Sequence, residues 1–115
     1  LKIYLAIPYT GQESESFEYV NKIACKLMNQ GYIVFSPISH THPIACCGNL
    51  PKDWEFWKKQ DECFIEWCDQ LWVCDFGDWQ TSKGVRAEIE IAKSLKKPVI
   101  HIKSIKKKFK IYEKK

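Results

Sequence analysis

Four short apolar runs separated by longer stretches of helical period leave this chain few architectures to adopt. Lys2 to Ile7, Tyr32 to Ser36, Leu71 to Cys74 and Pro98 to Ile102 are rich in aliphatic and aromatic residues without clean alternation, the pattern of strands buried on both faces. Between them, Ser14 or Ser16 caps a helix to about Asn29, with a stripe of Phe17, Val20, Ala24, Leu27 and Met28, and Gly31 stops it. A second helix starts at Asp53 and reaches about Trp67, and a third runs from Lys83 to about Leu95 behind a Ser82 cap. Ser39 to Leu50, with two His, two Cys, Pro43 and Gly48, reads as a long loop. Strand and helix alternating over residues 1 to 102 specify an α/β domain with a parallel sheet and right-handed crossovers. Ligands of such sheets sit at the carboxyl ends of the strands, so the loops after Ile7, Ser36 and Cys74 are expected to meet at one site.

A chain of 115 residues forms one domain with a real core. Its net charge of +4 is a property of one end, because Lys103 to Lys115 holds seven Lys and one Glu, whereas residues 1 to 102 carry 11 basic and 13 acidic side chains. The body is therefore no nucleic-acid binder, and polyanion affinity would have to come from the basic tail of residues 103–115, readable as an edge strand or a disordered end. Six cysteines, three of them within expected helices or strands, read as reduced thiols of a cytoplasmic protein. No apolar run approaches the roughly 20 residues that span a bilayer. The cluster His40-Thr41-His42 with Cys46-Cys47 fits no common zinc spacing, since adjacent cysteines share one tetrahedral ion poorly; it reads as the lining of a pocket, with no metal expected.

The stretch from Asp78 to Glu88 carries the chemistry. On the helix that follows Ser82, Glu88 falls among Val85, Ala92 and Leu95, while the polar face is formed by Arg86, Glu90, Lys93 and Lys97. A carboxylate on an apolar stripe is costly unless it is paired, hydrogen-bonded or turned to a cavity. Asp61 repeats the pattern among the aromatics of the Asp53 helix. Two acids converging at strand ends are the equipment of glycosidic cleavage, one attacking the anomeric carbon and the other handling the leaving group. The Ser82-Lys83-Gly84 turn presents backbone N–H groups at a helix start, which suits an anion. Trp54, Trp57 and Trp79 are the aromatic rings available to a base, whereas Trp67 and Trp72 fit core positions.

Tyr4, Asp61 and the Ser-x-Gly-x-x-x-Glu spacing of Ser82, Gly84 and Glu88, followed by Ala92 and Lys97-Pro98-Val99, resemble the nucleoside 2-deoxyribosyltransferase superfamily. That superfamily includes the 2'-deoxynucleoside 5'-phosphate N-hydrolases, and the resemblance covers residues 1 to about 102. Ser36-Pro37-Ile38 through His42-Pro43-Ile44 and Asp53-Trp54-Glu55-Phe56-Trp57 resemble an uncharacterised branch of it. The resemblance implies a Rossmann-like (flavodoxin-like) three-layer sandwich with a parallel sheet of four or five strands, no cofactor, and a homodimer. It further implies that Glu88 is the nucleophile on C1' of a deoxyribose, that Asp61 protonates or orients the departing base, and that the Tyr4 hydroxyl positions Glu88. Ile7, Tyr9 and Thr10 after the first strand, His42, Trp57, Ser82 and Gly84 are the expected substrate contacts. A serine at position 82, where enzymes acting on free nucleosides tend to hold an acid, favours a 5'-monophosphate. The sequence departs from the superfamily in its first loop, where Pro8 has no N–H and no Arg supplies charge, and in the residues 40–50. The expected activity is N-glycosidase action on deoxynucleoside 5'-monophosphates; its alternatives are base exchange by the same residues and a non-catalytic nucleotide sensor.

Overall fold

Ile3, Tyr4, Leu5 and Ala6 are all fully buried, so the strand that carries them must be covered on both faces. The computed structural model describes residues 1–51, 53–105 and 108–113 and shows how. Strand β1 (Lys2–Ala6) is followed by helix α1 (Glu13–Asn29), β2 (Ile33–Phe35), α2 (Pro37–Gly48), α3 (Trp54–Trp67), β3 (Gln70–Cys74), a short 3-10 turn (Trp79–Thr81), α4 (Lys83–Ser94), β4 (Val99–Ile105) and β5 (Lys108–Glu113). The sheet order is β2-β1-β3-β4-β5. The first four strands are parallel, in register Tyr4 with Phe35 and Leu71, and Trp72 with Ile100. β5 turns back antiparallel along β4, pairing Ile102 with Ile111, so this part of the basic tail is an edge strand; Lys106, Lys107, Lys114 and Lys115 lie outside the described residues.

Side chains of β1 divide the core by the period of the strand. Ile3 and Leu5 join Val20, Ile23, Ala24 and Leu27 of α1 on one face. Tyr4 and Ala6 join Ile65 of α3 and Val85 and Ala92 of α4 on the other. The result is the α/β three-layer arrangement expected, with four parallel strands at its centre. The chain leaves β1 toward β2 on one side and returns to β3 on the other, which makes the carboxyl end of β1 the switch point where such sheets bind ligands.

The structure corrects the sequence reading in several places. Residues 39–50 are not a loop: Ser36 caps α2, with Pro37 in its first turn, and the helix closes on Asn49 in the left-handed conformation at φ 56°. Its buried stripe is Pro37, Thr41 and Ala45, spaced by four but too small and polar to register as a hydrophobic period. The N-cap of α1 is Gln12, and neither Ser14 nor Ser16 takes that position; the Ser16 hydroxyl, fully buried, donates to the Pro8 carbonyl and ties down the loop after β1. Ile23 replaces Met28 in the α1 stripe, leaving Met28 exposed, and Trp67 and Leu95 are exposed because each stands at the end of its helix.

Lys97 performs a structural task that its place on the polar face of the sequence pattern does not show. Its ammonium donates to the carbonyls of Ile65 (2.8 Å), Cys68 (2.6 Å) and Glu66, at the end of α3 where carbonyls lack a backbone N–H within the helix. A cation there also faces the negative end of the helix dipole. Lys97→Met is expected to lower stability by about 2 kcal/mol, since it removes charge-assisted bonds from half-buried carbonyls. Urea unfolding followed by circular dichroism checks this, and an unchanged midpoint would count against it.

Candidate active site

Tyr4 reaches the site because β1 points its even-numbered side chains toward α3 and α4. Ser82 sets the start of α4 by accepting from the Val85 N–H at 3.3 Å, which fixes Glu88 at a position one and a half turns on and facing the sheet. There the Tyr4 hydroxyl donates to Glu88 Oε2. Glu88 is 6% exposed and Asp61, on the inner face of α3, 7%. Burial pushes the Asp61 carboxyl up to about 7, against a downward pull from hydrogen bonding with Tyr4. Burial raises Glu88 as well, and the nearby Asp61 raises it further, while the Tyr4 hydrogen bond opposes both. Tyr4 itself is held well above its ordinary range by burial and by the two carboxylates, so its hydroxyl stays a donor. The charge of Asp61 disfavours that of Glu88, so the two acids share protons as a pair, and the Tyr4 hydroxyl favours the ionised form of each. One carboxylate and one carboxylic acid buried together can supply a nucleophile and a proton donor.

Glu88 and Asp61 open into a cavity of about 500 Å³ at the carboxyl ends of β1 and β3. Ile7, Tyr9 and Thr10 from the loop after β1, Trp57 from α3, and Ser82 and Gly84 from the start of α4 line it, and Tyr4 stands beneath it behind Glu88. His42 does not line it. Its Nδ1 lies 2.7 Å from the Tyr9 hydroxyl and its ring packs on Phe17, 4.6 Å between centroids, so it stands behind the wall that Tyr9 forms. Trp79 likewise turns away, its ring 4.7 Å from that of His101. The Trp54 ring stands beside Gly84, where a Cβ would meet it at 3.7 Å, an ordinary van der Waals contact.

Several lining residues carry no signal in the sequence. Gln12 and Thr41 come from separate segments of the chain and meet only in the folded structure, whereas Trp54, one of the rings expected to face a base, lines the cavity as read from sequence. Asp53 and Asp78 add two carboxylates to the rim, and Lys83, the cation beside them, is engaged by Glu55. A helix-start lysine reads from sequence as available to an anion; its partner lies 28 positions away on α3. All six cysteines are unpaired, and among the described residues no three His, Cys, Asp or Glu side chains gather to hold a metal ion. Among the described residues no helix is long and apolar enough to cross a membrane.

No curated protein matches the chain significantly. A solved structure of 2-deoxyribosyltransferase from the psychrotolerant bacterium Bacillus psychrosaccharolyticus is similar, with 28% identity and a TM-score of 0.65 over 90% of this chain and 72% of that one. This similarity accords with the nucleoside 2-deoxyribosyltransferase-like superfamily expected from the Ser82 to Glu88 spacing. A family profile described as "Domain of unknown function (DUF1937)" matches residues 1–104, nearly the whole chain, and the protein therefore belongs to that family.

Proposed function

We propose that the cavity cleaves the bond between base and deoxyribose in 2'-deoxynucleoside 5'-monophosphates, by way of a covalent intermediate on Glu88. The observation that carries this reading is the buried group of Tyr4, Glu88 and Asp61 opening into a cavity large enough for a nucleotide. A Glu88 oxygen attacks C1' as the C1'–N bond breaks, and Asp61 gives its proton to the departing base. Asp61, now ionised, then takes a proton from water, whose oxygen attacks C1' and releases the Glu88 carboxylate. Free base and deoxyribose 5-phosphate leave, with configuration at C1' retained after two displacements. Trp57 and Trp54 offer flat faces to the base.

Ser82 supports the 5'-phosphate, through its hydroxyl and the N-terminus of α4, where an anion gains about 0.3–1 kcal/mol. Asp53 and Asp78, both exposed, repel it by a comparable amount, at most about 1 kcal/mol each. The preference for monophosphate over free nucleoside is therefore expected to be small. That balance, with the similarity to a 2-deoxyribosyltransferase, favours one second reading: a base-exchange enzyme in which a second base replaces water.

The test is a panel of deoxynucleosides and their 5'-monophosphates, incubated with and without an added free base and followed by chromatography. Base release from monophosphates without an acceptor supports the hydrolase. Product formed only when a second base is present supports base exchange. Binding of one nucleotide with no turnover of any compound would move the cavity into the class of sensors.

A further inference from the structure

The Gln12 side-chain amide packs beside Gly77 without a hydrogen bond to any described residue. Gln12 occupies the N-cap position of α1, where a short polar side chain would bond the first turn, yet it makes no capping bond. Its backbone is fixed at both ends, the N–H donating to the Tyr9 carbonyl at 3.1 Å and the carbonyl accepting from the Ser16 N–H at 2.9 Å. Its amide nitrogen, sealed from solvent, has no hydrogen-bond partner among the described residues. An unpartnered buried donor costs stability, and a protein keeps one where a ligand completes it. The position supports this, because Gln12 lines the cavity that holds Glu88 and Asp61.

Room for the amide is made by Gly77, which lies in the left-handed region at φ 57°; a Cβ there would come within 3.0 Å of Gln12 Oε1. Gly77 directly precedes Asp78, which lines the cavity, so the Gln12 amide lies beside the segment that runs on to the Ser82 cap. The last torsion of a glutamine is broad and soft, so the amide can turn toward an acceptor that enters the cavity. Among the described residues that line the cavity, the one cation, Lys83, is held by Glu55, and Pro8 has no N–H to offer. A neutral donor is what remains there for an oxygen.

We infer that Gln12 is a substrate-binding residue whose amide donates a hydrogen bond to the 5'-oxygen of the sugar, whether that oxygen is a free hydroxyl or the ester oxygen of a phosphate. This rests on the glycosidase reading of the same cavity. It also explains how the loop after β1 contributes to binding without an arginine.

The experiment pairs Gln12→Met, similar in length and without a donor, with substrates that have and lack the 5'-oxygen. Deoxynucleoside, its 5'-monophosphate and the 2',5'-dideoxynucleoside are compared on both proteins. In the unaltered protein, loss of the 5'-oxygen should raise KM about tenfold, the effect of one neutral hydrogen bond. In Gln12→Met the substrates with the oxygen should show that same rise, with kcat within about threefold, and the dideoxy compound should be no worse than in the unaltered protein. Thermal melting of the unliganded variant should be equal to or above that of the unaltered protein, since an unpartnered donor has been removed. A 5'-oxygen effect of equal size in both proteins would overturn the inference while leaving the glycosidase reading intact. An unchanged KM for every substrate would do the same. No turnover by the unaltered protein would remove both.

Discussion

Glu88→Ala is expected to reduce base release by at least about a thousandfold, because in the proposed reaction this carboxylate forms the covalent bond while Asp61 serves as proton donor. Buried beneath the cavity and bonded to Tyr4, it also has a structural role, and the variant must be judged with that in mind. Alanine leaves the fully buried Tyr4 hydroxyl without its acceptor, at a cost of about 1–3 kcal/mol, but also removes a carboxylate whose charge is disfavoured by burial and by Asp61. The two effects oppose each other. Glu88→Gln keeps an acceptor for Tyr4 and should fold as well as the unaltered protein while showing the same loss of turnover. Acid-quenched protein incubated with substrate should carry a deoxyribosyl phosphate adduct by mass spectrometry, mapped to the α4 peptide and absent from both variants. Turnover by folded Glu88→Gln at more than a tenth of the normal rate would show that the nucleophile has been misassigned.

Asp61→Asn separates the second carboxylate from the first. As proton donor to the departing base, Asp61 should contribute about 10²–10⁴-fold to the rate, so the variant should fail on ordinary deoxynucleotides. The loss should shrink for bases that leave without protonation, a pattern that misplacement of Glu88 would not produce. A second readout follows from its titration. The carboxyl titrates at about 7 in the fold against 3.8 in the ordinary case, so the folded state binds the extra proton between those values. Stability therefore falls as pH rises from about 4 to about 7, and the whole penalty is present above that range. Replacing the acid by its neutral isostere should raise the melting temperature by several degrees at pH 8 relative to the unaltered protein, and by much less at pH 5. Equal differences at both pH values would mean that Asp61 titrates as an ordinary surface acid. Gained stability with lost activity is the signature of a group held in an unfavourable state for its chemistry.

Much of the fold was legible because it depends on period and position along the chain. Lys2 to Ile7 had to be a two-faced strand, and Val85, Glu88 and Ala92 had to share one face of a capped helix, whatever packed against them. Ser82 was readable as a cap because capping is a bond between residues three apart. The helix at residues 37–48 was also locally encoded, by Ser36-Pro37 at its start and Asn49 at its end. It was obscured by Pro43 and Gly48, and by a buried stripe that contains a proline, a threonine and an alanine.

Other features had no local cause to read. His42 faces Phe17 and Tyr9 and not the cavity, because α2 packs along α1, and that docking angle follows from the whole layer. Trp54 stands beside Gly84, and Glu55 holds Lys83, because α3 and α4 lie side by side on one face of the sheet. The chain itself determined that an acid would lie on the apolar face of α4, and that a tyrosine and a second acid were available. Only the tertiary structure decided that the three would meet, since the strand order places β1 between β2 and β3 and so brings Tyr4 under Glu88 across 84 residues of chain. The same order set Gln12 against Gly77, and with it a donor that no spacing in the sequence announces.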